Sequence, residues 1–127
     1  MVAGGRIVNI TALSVLQPMP KFGLSVATWA GVIGYAKTLS LEVAADNITV
    51  NTICPGRFAT RRLAKVFGTG GEEAEEMKNK LKDEVPLGRV GDVSEIAAMV
   101  AMLVSDAGGY ITGTTMHIDG GRRTNLL

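Results

Sequence analysis

The side chains that could do chemistry are few and widely spaced. The chain has one cysteine, Cys54, and one histidine, His117, too few for a zinc cage. Cys54 stands before Pro55 at the end of a β-branched run and reads as a small buried hydrophobe. His117, inside a predicted strand, reads as structural. The glycine-rich stretch Gly68-Thr69-Gly70-Gly71 lacks the Gly-Lys-Ser/Thr ending of a phosphate loop and reads as a hinge. Arg61-Arg62 and Arg122-Arg123 read as solvated surface in a nearly neutral protein. No pattern among these residues commits the chain to a chemistry by itself, so the elements that bring strand ends together decide the reading.

GRIVNITA (5–12) is a short, β-branched run and predicts a buried strand. Pro18, Pro20 and Gly23 make the following segment a loop. Ser25 is placed as an N-cap, and Val26 to Ala45, free of proline, predicts a long helix. Its apolar residues, Trp29 and Tyr35 among them, occupy most of its circumference, so it is expected to bury more than one side. Gly31 and Gly34 would let another helix approach. ITVNTIC (48–54) predicts a second strand, stopped by Pro55-Gly56. Strand, helix and strand at this spacing predict a parallel pair with a right-handed crossover. The ends at Ala12 and Cys54 then lie side by side, where open α/β sheets bind ligands.

A short helix is expected from Thr60 to Phe67. Glu72 to Glu84 predicts an amphipathic helix whose stripe is Ala74, Met77, Leu81 and Val85, the pair forming a lid-like hairpin. Asp92-Val93-Ser94-Glu95 is a capping-box pattern, followed by apolar residues at helical spacing through Val104. Gly108-Gly109 ends that helix, and Thr114 to Ile118 predicts a last strand. Three strands with helices between them make a small parallel sheet within one domain, 1–127. The first strand is expected to keep an open edge.

Length and composition set outer bounds. At 127 residues the chain has room for a single core, and 46% hydrophobic against 20% charged residues excludes disorder. A net charge of +1 gives no electrostatic reason to expect nucleic acid or an anionic membrane surface. No signal-peptide pattern and no apolar run of membrane-spanning length is read, so a soluble cytoplasmic protein is expected.

Taken together, GRIVNI, AKTLSLEVA, NITVNTICPGRFAT and VPLGRVGDVSEIAAMVAMLVSDAGGYITGTTMHIDGG resemble the second half of the short-chain dehydrogenase/reductase family, in particular the beta-ketoacyl carrier-protein reductase group. The resemblance covers Gly5 to Gly121. It implies a partial Rossmann-like α/β fold, the last three strands of a doubly wound sheet, without the glycine-rich dinucleotide-binding half. It implies NAD or NADP as cofactor and carbonyl/hydroxyl redox chemistry. The Pro-Gly turn beside the nicotinamide falls on Pro55 and Gly56, and the threonine that bonds carboxamide or phosphates on Thr60.

The family's catalytic positions are another matter. Its carbonyl-holding serine, proton-donating tyrosine and pKa-lowering lysine fall, without gaps, on Ala12, Ser25 and Trp29. All three are replaced. Ala12 cannot hydrogen-bond, Ser25 is a far weaker acid than a tuned phenol, and Trp29 offers a neutral N–H where a cation is needed. Trp29 reads as core or interface packing. Ser14 could supply the missing hydroxyl only with a two-residue loop shift. A divergent group of the family carries serine and arginine at the last two positions, and 14–42 looks nearer to it, although Trp29 departs from that arginine too. The expectation is an oxidoreductase-like chain inactive on its own. Alternatives are a non-catalytic subunit of a full-length homologue, a homo- or hetero-oligomer paired through the Val26–Ala45 helix and last strand, or half of a two-chain enzyme.

Overall fold

The computed structural model describes residues 3–61, 63 and 71–126. Three parallel strands, β1 (Arg6–Ile10), β2 (Thr49–Pro55) and β3 (Thr115–Ile118), form one sheet in the order β1-β2-β3. Register runs Arg6 opposite Thr49 to Ile10 opposite Ile53, and Thr52 opposite Thr115 to Pro55 opposite Ile118. All three carboxyl ends therefore point one way, as the crossover reading requires.

The central strand is the core. Every residue from Thr49 to Cys54 is buried, and Ile53 and Cys54 are completely so. Its apolar–polar alternation resembles a half-exposed strand, yet both faces are covered. Of its buried polar groups, Asn51 and the Val50 amide are bonded, whereas Thr49 Oγ1 has no partner among the described residues. Asn51 donates through Nδ2 to the Ile111 carbonyl at 2.8 Å, and its Oδ1 accepts from Thr114 Oγ1 at 2.7 Å and Thr114 N at 3.2 Å. The Val50 amide donates to Thr112 Oγ1 at 3.1 Å. These bonds spare buried amides the cost of going unpaired and hold the turn that starts β3.

Among the described residues β1 pairs on one side only, and its outer edge is free. Its residues are half-buried where those of β2 are buried, and Ile10 is 45% exposed. This is the open edge expected from the sequence.

Helix α1 (Gly23–Glu42) packs on β2 and on the 3-10 turn Leu13–Val15. It starts earlier than the sequence suggests. Lys21 turns the chain at φ 70°, Phe22 takes the N-cap position, and its carbonyl accepts from Val26 N at 2.8 Å. Ser25 thus lies in the first turn and caps nothing. The far end is also shorter: α1 stops at Glu42, and Ala44–Asp46 forms a 3-10 turn closed by Asn47 in the left-handed region, φ 56°. Only Ala36 and Ser40 of α1 are buried. Leu24, Tyr35 and Leu41 are exposed, and a Cβ at Gly31 or Gly34 would meet nothing within 4 Å. The expected second buried side is, within this chain, open.

Helix α2 (Glu72–Asp83) buries Leu81 and, just beyond its end, Val85. The Met77 side chain, the Gly68–Gly70 part of the hinge and most of the Thr60–Phe67 segment lie outside the described residues. Helix α3 (Val93–Val104) begins with the capping box read from the sequence: Asp92 Oδ1 accepts from Ser94 N at 2.8 Å, and Glu95 Oε2 accepts from Asp92 N at 2.7 Å. It packs against β1 through a face centred on the fully buried Leu103. No helix among the described residues is long and apolar enough to cross a membrane.

Candidate functional site

The loops after β1 and β2 and the end of β3 meet at one rim. Ala12 follows β1 in extended conformation and opens the Leu13–Val15 turn. Ser25 and Trp29 lie one turn apart on α1, both half-buried, and the start of α1 packs against that turn. The three positions the resemblance assigns to catalysis are thus carried by adjoining elements, but with an alkyl group, an alcohol and an indole. No group among them can be a general acid near neutral pH. Ser14 does not replace Ala12: its hydroxyl is enclosed, without a hydrogen-bond partner and without contact to solvent.

Pro55 ends β2, and the Gly56 amide donates to the Ile118 carbonyl at 2.8 Å, tying the turn to β3. A Cβ at Gly56 would stand 2.7 Å from Asp119 Cβ and 2.8 Å from its Cα. Glycine is therefore required here by the close approach of β3. Thr60 is exposed and its Oγ1 accepts from Leu63 N at 3.3 Å, an N-cap bond. The three residues thus offer a fixed backbone turn and, four residues on, an exposed hydroxyl.

Cys54 is buried between β1 and β2, with its sulfur 3.1 Å from Thr11 Oγ1. Burial pushes its thiol pKa up, so it stays protonated and is no nucleophile. His117 is exposed on β3, opposite Cys54 in the register. Among the described residues no group of His, Cys and carboxylates is arranged to hold a metal.

Sequence reading missed an ionic cluster beside this rim. Glu84 Oε2 accepts from Arg122 Nη2 at 2.9 Å and Arg57 Nη2 at 3.4 Å. The Arg122 side chain is only 13% exposed and also approaches Met19 Sδ at 3.7 Å. Arg122-Arg123 is therefore not solvated surface. Asp119, buried, accepts from Gly121 N and Arg123 N, folding the tail back over the sheet end. The signal available was Asp119-Gly120-Gly121, since two glycines at φ 65° and 86° are what such a reversal needs.

A family model described as enoyl-(acyl carrier protein) reductase matches residues 1–123. The 3-oxoacyl-[acyl-carrier-protein] reductase FabG of Haemophilus influenzae is 43% identical over 117 residues, 92% of this chain and 46% of the relative. Among solved structures, L-sorbose reductase from Gluconobacter frateurii, complexed with NADPH and L-sorbose, superposes with a TM-score of 0.90 at 29% identity, covering 98% of this chain and 49% of that one. A short chain dehydrogenase family protein from Francisella tularensis gives a TM-score of 0.82 at 30% identity, covering 95% and 52%. The chain spans about half the length of the proteins it matches. The family match over residues 1–123 and the superposition on these solved structures show that the chain belongs to the short-chain dehydrogenase/reductase family.

Proposed function

We propose that this chain forms the sheet-edge half of an NAD(P)-dependent oxidoreductase site and is inactive in isolation. The supporting observation is the unpaired outer edge of β1, next to the rim that carries Pro55, Gly56 and Thr60. A parallel strand added there would complete the cover that β1 lacks and bring a dinucleotide-binding segment to the same rim. When bound, the dinucleotide supplies hydride transfer. The chain's own part is positional: the Pro55-Gly56 turn forms a rigid wall, and Thr60 donates one hydrogen bond. Ala12, Ser25 and Trp29 provide no proton donor, so protonation has to come from a group outside these positions. NADPH is named for the L-sorbose reductase neighbour; here the cofactor is read as NAD or NADP.

A second reading is favoured by the exposed Leu24, Tyr35 and Leu41 and the open ground over Gly31 and Gly34. In it the chain is a non-catalytic subunit that pairs through α1 and β3 with a second copy or a full-length homologue in the cytoplasm. Native mass spectrometry of the protein from its own cells separates the readings. A complex holding a nicotinamide dinucleotide and the missing half, in the same or another polypeptide, is the expected result. A dinucleotide-free assembly with a complete homologue supports the subunit reading, and a dinucleotide-free homo-oligomer overturns the oxidoreductase site.

A further inference from the structure

Arg57 borders a pocket of about 100 Å³ at the ends of β2 and β3, walled largely by Phe58, Val85, Leu87 and Ile118. The charges around it differ in how fully they are satisfied. Arg89 is closed off by a bidentate pair with Glu95, at 2.7 and 2.9 Å. The Asp119 carboxylate accepts two backbone amides, one of them from Arg123. Arg57 and Arg122, by contrast, share a single oxygen of Glu84. Arg57 is the looser of the two, at 3.4 Å against 2.9 Å, and its buried Nε has no acceptor.

Two guanidiniums share one carboxylate beside an apolar cavity, whose lining also includes Asp119 and Glu95. A guanidinium pairs best with a carboxylate through two parallel hydrogen bonds, and Arg57 has donors unused for that purpose. Apolar walls favour a ligand whose remainder is hydrocarbon. We propose that this pocket binds a short aliphatic carboxylate, with Arg57 pairing to the carboxylate and Phe58, Val85, Leu87 and Ile118 enclosing the chain. Arg57 can swing from Glu84 to the ligand while the shorter Arg122–Glu84 pair stays closed. The site involves neither Pro55 nor Thr60, and it stands whether or not the dinucleotide reading does.

The test is titration of the isotope-labelled chain with butyrate, followed by amide NMR without any dinucleotide present. Butyrate is expected to shift the Phe58, Gly91 and Gly120 amides saturably, and 1-butanol, which lacks the charge, is not. Arg57→Gln should weaken butyrate binding about tenfold, whereas Glu84→Gln, by releasing Arg57, should tighten it about threefold. A merely structural role for the cluster would move both variants in the same direction. The proposal is overturned by the absence of saturable shifts at those amides, by an equal response to 1-butanol, or by Glu84→Gln binding no tighter than wild type. The last comparison decides alone should Arg57→Gln not fold.

Discussion

Thr60 and Glu95 show how differently two exposed side chains can be committed. The Thr60 hydroxyl accepts one amide, and in the dinucleotide site proposed above it would donate to the cofactor. Thr60→Ala is expected to weaken NADPH binding by about tenfold, the worth of one hydrogen bond near 1.4 kcal/mol, read from the fluorescence of the bound dinucleotide in the assembled protein. Glu95 is fully engaged at Arg89 and the Asp92 amide, and those bonds lower its carboxyl pKa to about 2 from 4.5. A carboxyl depressed by folding contributes stability that is whole above about pH 4.5 and lost as pH falls towards 2. Urea midpoints measured across that range should fall less steeply for Glu95→Gln than for wild type, and equal slopes would dismiss the contribution.

At the scale of elements, the turn after β2 is the most sensitive joint. Gly56→Ala would drive a methyl group into Asp119, including its backbone, and overpacking of this kind costs about 1–3 kcal/mol. The urea midpoint should drop accordingly, with the circular dichroism of the folded state unchanged. The sequence displayed the strands and α3 because periodicity and a capping box are local signals. It misplaced the start of α1, since a left-handed Lys21 and a capless Phe22 leave no compositional mark, and it took Ser25 for a cap because serine often is one. The replaced catalytic positions were legible only through family resemblance. The Arg57–Glu84–Arg122 cluster was not legible at all: its members come from three distant segments, and only the tail reversal at Asp119 brings them together.

For the whole molecule, α1 exposes Leu24, Tyr35 and Leu41, and further large apolar side chains, Leu87, Tyr110 and Leu126 among them, are exposed elsewhere. If α1 pairs with another chain, Leu41→Glu should reduce the sedimentation coefficient to that of a monomer without changing the helical content, because Leu41 is 73% exposed in the single chain and buries nothing there. An unchanged sedimentation profile would place the contact elsewhere. The amides of β1 that face outward should exchange with deuterium faster than those of β2, and be protected when another strand pairs with that edge.

The register also dictates an order of events in time. β1 meets β2 only after about forty intervening residues, and β2 meets β3 only after about sixty. Such distant pairings make for slow folding. β1 is made before either of the strands that follow it, and among the described residues one of its sides is unpaired. An unpaired strand edge of this kind is a route to aggregation until another strand or chain covers it.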